Sequence, residues 1–479
     1  MNKSIIRFIL CRVLQFEGLF LLLPVIVSIF YKENTGLIFV AISAGCLALG
    51  TLGAHFKPKS KVFYAREGFV VVAMSWILLS LVGAIPFVAT GEIPSYVDAV
   101  FETVSGFTTT GASILNDVEA LTKTTMFWRC FTNWIGGMGV LVFIMAVLPL
   151  SGSRNMHLMR AESTGPEVGK LVPRVKTTAT ILYGIYFGMS LILITCFLLS
   201  GLPLYNSLIL SFSTMGTGGF ADLNKSLGGY SRAAQTISMI FMILCGVNFN
   251  AYFLILRRKF KDFWKLEEVR VYLFIVFLSA AAITIQIRGG FDSLGDAFHH
   301  ALFQVGSIVS TTGFSTVDFN AWPMLSKVIL LFLMVVGGCA GSTCGGIKVP
   351  RFLILLRSLG RELSHLTHPR SVKKVKLNGQ TVSEETVSSV ISFMIAYVLV
   401  VMVSTFIVAA DNMDFTSSFS AVLANVGNIG PGLGIVGPTG NYSTLSDLSK
   451  ITLIFDMLAG RLEIYPMLVL FYMGTWRKS

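Results

Sequence analysis

AVFETVSGFTTTG (99–111), SLILSFSTMGTGG (207–219), ALFQVGSIVSTTG (301–313) and AVLANVGNIGPG (421–432) are four versions of one segment. Each is too polar and too short to cross a bilayer, yet too apolar for a free loop. In the first three a serine stands six residues before the closing glycine, at Ser105, Ser213 and Ser307. The fourth closes on Gly432 and has no serine at that spacing. The closing glycines Gly111, Gly219, Gly313 and Gly432 lie 108, 94 and 119 residues apart, an irregular fourfold repeat. Each copy sits between two long apolar runs. The repeat unit therefore reads as span, short helix, Gly-rich strand, span.

The rest of the chain agrees with a lipid solvent. Of 479 residues 54% are hydrophobic and only 13% charged, about half the soluble norm of roughly 25%. A spanning helix needs about 20 mostly apolar residues. Runs of that kind lie near 14–31, 36–54, 68–90, 125–149, 178–200, 233–256, 271–288, 324–347, 387–410 and 450–474, so ten spans are expected. Residues 1–67 stand outside the repeat as two additional helices and a basic linker; the repeats occupy 68–177, 178–270, 271–386 and 387–479. The first apolar stretch lacks a small-residue cleavage site and reads as a retained helix.

With both termini on the cytoplasmic side, 28 of the 37 Lys and Arg residues fall in 1–13, 55–67, 151–178, 256–270, 348–376 and 475–479. The positive-inside rule fixes that orientation. It also absorbs most of the net charge of +12, which leaves nothing for a nucleic-acid reading. Seven cysteines without a CxxC pair suggest neither a disulfide framework nor a zinc site. His299 and His300 have no further ligands at metal-binding spacing.

Non-helical backbone at membrane depth is tolerated only where it lines water or is buried in protein. A chain that carries such backbone four times, in equivalent places, is using its carbonyls. Rings of carbonyl oxygens replace the hydration shell of a monovalent cation. Gly allows close approach and unusual φ, and Thr adds an uncharged acceptor. The bland alternative, small-residue faces for helix packing, explains one such segment but not four in register.

TTTGAS (108–113), STTGFST (310–316), GNIGPG (427–432), NWIGGMG (133–139) and AGRLEIYP (459–466) resemble the Trk/Ktr/HKT superfamily of cation-translocating subunits. The likeness covers essentially the whole chain. It implies an all-α polytopic membrane protein with four pseudosymmetric helix–pore-helix–helix repeats around one ion pore, plus two N-terminal helices. It further implies a homodimer in the bacterial cytoplasmic membrane, with a cytoplasmic TrkA-type nucleotide-binding regulatory subunit as partner. By motif, Thr109, Thr110 and Gly111, Thr217, Gly218 and Gly219, Thr311, Thr312 and Gly313, and Gly430, Pro431 and Gly432 are expected to line a K+ filter. In this superfamily a serine at the first-repeat filter glycine accompanies sodium permeation, so Gly111 implies potassium selectivity.

VVGGCAGSTCGGIK (335–348) carries Gly337, Gly338, Gly341, Gly345 and Gly346. Glycine costs about 1 kcal/mol against Ala inside a helix, so this span is expected to be broken. The resemblance implies a gating loop there, with Lys348 anchoring its end. Arg461 falls within the last apolar run, where a charge must face water or a partner. It reads as a pore-facing barrier beside the loop, with a structural clamp through Glu463, Asp456 or carbonyls as the alternative. Arg129 and Asp456 are weaker candidates. The basic stretches 257–265 and 370–376 serve topology, anionic lipid or a regulatory partner.

A gated K+-selective pore is the leading reading. A cation-coupled secondary transporter is the alternative; it predicts broken helices in inverted halves, whereas the four units here share one orientation. An enzyme needs a catalytic constellation that the sequence does not offer. With no nucleotide-binding motif in the chain, nucleotide control is expected from a separate polypeptide.

Overall fold

The computed structural model describes residues 1–58, 64–139 and 175–476. The expected span half 140–149 and the basic stretches 59–63, 151–174 and 477–479 lie outside the described residues.

The N-terminal pair is a hairpin: α1 (Lys3–Phe20) and α2 (Leu22–Tyr31) run as one 29-residue apolar segment, followed by α3 (Gly36–His55). α1 and α3 approach closely because the contact is made of small residues. A Cβ added at Gly53 would sit 2.2 Å from the Cys11 sulfur, and one at Gly50 would sit 2.6 Å from Gln15 Cγ. This is close packing of the small-residue kind favoured between membrane helices.

Each repeat opens with a long apolar helix: α4 (Ala65–Gly83) with α5 (Ile85–Ala89), α8 (Val175–Leu199), α13 (Glu267–Ile287) and α17 (Glu384–Val408). A short helix then dips inward: α6 (Tyr96–Phe107), α9 (Leu204–Gly216), α14 (Leu294–Val309) and α18 (Phe415–Val426). Three of these start on a side-chain cap, from Ser95, Ser293 and Asp414, and one follows Pro203. From Ala99 to Phe107 every residue of α6 is buried, so the short helices are packed in protein and not in lipid.

The closing helices depart from the sequence expectation. α7 (Lys123–Gly137), α10 (Arg232–Cys245), α15 (Met324–Val336) and α19 (Asp447–Arg461) hold 15, 14, 13 and 15 residues. Fifteen residues of helix measure about 22 Å, short of a hydrocarbon core of roughly 30 Å. The expected continuous spans at 233–256, 324–347 and 450–474 are thus interrupted. α10 meets α11 (Phe249–Leu256) at 94°, with Asn248 capping the new helix. α15 gives way to the glycine-rich stretch, whose Gly337 has φ +70°, before α16 (Val349–Thr367). α19 turns through Glu463 and Ile464, both at positive φ, into α20 (Tyr465–Phe471). Only the glycine-rich break is visible in the sequence. Hydropathy sums cannot register a bend made by one or two dihedrals.

Candidate ion pathway

The four strand segments following the short helices share one backbone geometry. Thr109, Thr217, Thr311 and Asn428 have φ of 56°, 55°, 55° and 53°. Two residues on, Gly111, Gly219, Gly313 and Gly430 have φ of 80°, 70°, 83° and 93°. The residues between them, Thr110, Gly218, Thr312 and Ile429, do not enter the positive-φ region. Alternating handedness turns successive peptide units the same way, gathering N–H groups on one side and carbonyls on the other. The turn itself is identical in all four: Thr110, Gly218, Thr312 and Ile429 donate N–H to the carbonyls of Ser105, Ser213, Ser307 and Ala424 at 2.8–2.9 Å.

This register corrects the fourth segment. Its counterpart of Thr–Thr–Gly is Asn428–Ile429–Gly430, two residues before the expected Gly430–Pro431–Gly432. Pro431 and Gly432 follow the ring glycine instead of forming it. The physical signal is Asn, which tolerates the left-handed region better than most residues. An Asn-x-Gly pattern was therefore the match to seek.

The glycines close a ring. A Cβ on Gly111 would lie 2.4 Å from Gly218 O, on Gly219 2.0 Å from Thr312 O, on Gly313 2.1 Å from Ile429 O, and on Gly430 2.6 Å from Thr110 O. Each repeat thus touches the next, and the fourth returns to the first. Only glycine fits at these four crossings. Above the ring, Gly111, Gly219, Gly313 and Gly430 open into a cavity of about 180 Å³. Beside it, Asn224, which lines the cavity, donates to Asp117 at 2.8 Å and holds that carboxyl below the usual carboxylate range. The rim therefore keeps its negative charge at neutral pH.

Side chains behind the ring fix it. Asn428 Nδ2 donates to Thr110 Oγ1 at 3.0 Å and to Met457 O at 2.8 Å, and Tyr442 Oη to Gly430 O at 2.7 Å. Arg129, expected as a minor candidate for function, is buried here. Its Nε donates to Glu102 at 2.6 Å, its Nη1 to Ala221 O at 3.1 Å, and its guanidinium lies 3.6 Å from the centre of the Phe220 ring. Glu102 also accepts from Ile114 N–H. The pair ties the first strand segment to the second. His299 and His300 bond Gln235 and Thr316 and brace the third short helix.

Below the ring the ends of the four closing helices come to equivalent positions. Counted from their capping residues Thr122, Ser231, Pro323 and Ser446, the same position holds Gly137, Gly246, Gly338 and Arg461. Where three repeats have no side chain, the fourth has a guanidinium. Arg461 donates to Thr343 O at 2.7 Å and Gly137 O at 2.8 Å, and also bonds Gly136 O. The neighbouring acids go elsewhere: Glu463 binds Arg351, and Asp456 accepts from Ser404 at 2.6 Å. Arg461 thus contacts carbonyls, as the clamp reading expects, and one of them, Thr343 O, belongs to the glycine-rich stretch, where the barrier reading expects it.

That stretch, 337–348, folds back under the ring. Gly345 N–H donates to Thr311 Oγ1 at 2.7 Å, and a Cβ on Gly345 would lie 2.3 Å from Gly427 O. Cys339 N–H reaches Gly246 O at 2.9 Å, and Gly341 O accepts from Phe249 N–H at 3.0 Å. Lys348, with φ +81°, is buried and donates to Cys344 O, so it ties the end of the stretch to itself. Gly337, Gly341 and Gly346 adopt positive φ.

Comparison with known proteins now decides the family. The profile of the TrkH family, described as a cation transport protein, matches residues 37–288 and 292–475. The chain belongs to the TrkH family. It is 36% identical to the Trk system potassium uptake protein TrkH of Salmonella typhimurium and 37% identical to that of Vibrio parahaemolyticus, over 99% of each chain. It superposes on the crystal structure of the potassium transporter TrkH from Vibrio parahaemolyticus with a TM-score of 0.88, at 35% identity and over 99% of both chains. TrkH-family architecture thus accounts for the four repeats, and the chain is a multi-pass membrane protein of a cation transport family.

Proposed function

We propose that this chain takes up potassium across the bacterial cytoplasmic membrane through a gated, K+-selective pore. Its filter is the ring of Thr109–Gly111, Thr217–Gly219, Thr311–Gly313 and Asn428–Gly430. The closed order of glycine–carbonyl crossings carries this reading, since a carbonyl ring suits a dehydrated monovalent cation. The relatives named as potassium uptake proteins support the choice of ion. Residues 337–346 and Arg461 form the gate on the cytoplasmic side of the filter, and both termini are cytoplasmic.

Rubidium uptake into vesicles of purified protein tests the function: it should be driven by a cation gradient alone and outcompeted by potassium far better than by sodium. Uptake that required an imposed sodium or proton gradient would favour a coupled transporter and sink the pore.

The active unit is a homodimer that docks a TrkA-type nucleotide-binding subunit on its basic face. Arg257, Arg258 and Lys259 are exposed there. Reversing their charges should weaken that association several-fold, on the order of 1 kcal/mol in total for solvent-exposed pairs, and more steeply as salt rises. Binding measured by interferometry at two ionic strengths checks this. Unchanged affinity moves the docking surface to 361–376.

A further inference from the structure

Glu268 has no part in the filter or in the barrier at Arg461, yet it is buried at the edge of the glycine-rich stretch. It is the second residue of α13, the opening helix of the third repeat. Its Oε1 accepts from Asn248 Nδ2 at 2.7 Å and its Oε2 from Ala340 N–H at 3.3 Å. Asn248 in turn sits at the 94° break of the second repeat, where its Oδ1 caps α11 by accepting from Asn250 N–H at 2.8 Å. Phe249 N–H, the next donor along, reaches Gly341 O. One carboxylate therefore fastens the entry arm of the stretch, 339–341, to the bend of a different repeat.

We infer that Glu268 is a positioning residue of the gate: it holds the intramembrane loop closed by bridging Asn248 to the backbone of Ala340. This inference rests on the reading of 337–346 as the gate. The chemistry favours a carboxylate because both partners are donors. An ionised carboxylate offers acceptors on both oxygens, whereas an amide offers one oxygen and turns two N–H groups toward the rest. Charge-assisted bonds are also roughly twice as strong as neutral ones. Burying an acid is costly unless it is fully hydrogen-bonded, and a shut loop is the return on that cost.

The hydrogen bonds can be broken by either of two single substitutions and remade by the pair, which restores the total charge. Glu268→Gln alone sets two amide N–H groups against each other, and Asn248→Asp alone sets two carboxylates face to face. Together they restore the set. The aspartate at 248 accepts from Asn250 N–H and from the new glutamine's Nε2, while that glutamine's Oε1 accepts from Ala340 N–H.

The measurement is rubidium uptake into vesicles without the regulatory partner, with the potassium-to-sodium permeability ratio recorded alongside. Each single variant should leak about tenfold more than wild type, the loss expected for a hydrogen bond to a charged group. The double variant should return to the closed baseline, and the ratio should not move in any of them. If Glu268→Gln fails to give monodisperse protein, Asn248→Asp tests the same contact from the other side. Either single variant staying as closed as wild type, or the double variant leaking like the singles, overturns the assignment. A variant shortened within 339–344 runs in parallel. If it leaks while Glu268→Gln stays closed, only the Glu268 assignment falls; if it too stays closed, the gate reading falls with it.

Discussion

Replacing Gly111 by serine is expected to lower the potassium-over-sodium permeability ratio about tenfold or more, the equivalent of roughly 1.4 kcal/mol of lost discrimination. Total cation flux should fall less. Gly111 holds φ +80°, a region that costs an L-residue about 1–2 kcal/mol. The new Cβ would also stand 2.4 Å from Gly218 O, so the second-repeat carbonyl must turn or retreat. A ring that distinguishes ions by the number and field of its carbonyls loses one ligand in such a move. Gly219 and Gly313 meet their carbonyl at 2.0 and 2.1 Å, so serine there should do at least as much damage. Gly432 provides the comparison: a Cβ there would meet the Ser420 hydroxyl at 2.8 Å, Val436 Cγ2 at 2.9 Å and the Ser420 backbone at 3.1 Å, none of them a ring carbonyl. Serine at 430 should therefore impair selectivity and alanine at 432 should not. Bi-ionic reversal potentials in planar bilayers read the ratio directly. Equal ratios for the wild type and the Gly111 variant would remove this glycine from the filter.

The Gly430 and Gly432 pair also shows where sequence reasoning ended. Three segments were legible because Thr-x-Gly recurs with a serine at fixed spacing. The fourth has Asn, Ile and Ala at the matching places, and the extra glycine at 432 drew the alignment two residues forward. Backbone handedness, not residue type, is what all four share. The long first helices of each repeat were readable from hydropathy for the same reason that the broken second helices were not. A run of apolar residues predicts burial in lipid, whereas a bend at Asn248 or Ile464 depends on a single capping side chain or dihedral. The glycine-rich stretch announced its own irregularity. Its partners could not be anticipated, because Gly345 to Thr311, Cys339 to Gly246 and Arg461 to Gly137 are contacts between distant parts of the chain. Arg461 was visible as a misplaced charge, but its meaning comes from position. It stands where the other three repeats have glycine.

That position carries the second large effect. Arg461→Ala and a loop shortened within 339–344 should each raise partner-free rubidium uptake by about tenfold to a hundredfold, for two reasons that share one location. A unit positive charge roughly 5 Å from a permeating cation opposes it by about 3 kcal/mol at an effective dielectric of about 20. The same guanidinium bonds Thr343 O in the loop and the carbonyls of Gly136 and Gly137 at the end of α7, so it also holds the obstruction in place. Removing it takes away a barrier and loosens a loop at once. The combined variant should therefore leak less than the product of the two single effects, because groups acting on one barrier are not independent. Lysine at 461 separates the contributions: it keeps the charge but cannot serve the three carbonyls from one planar fork. Its uptake should lie between wild type and alanine. Selectivity should survive in all of these, since none of the substitutions touches the glycine–carbonyl crossings. Should alanine at 461 and the shortened loop both remain as closed as wild type, the gate lies elsewhere. Arg461 would then be a clamp joining the fourth repeat to the first.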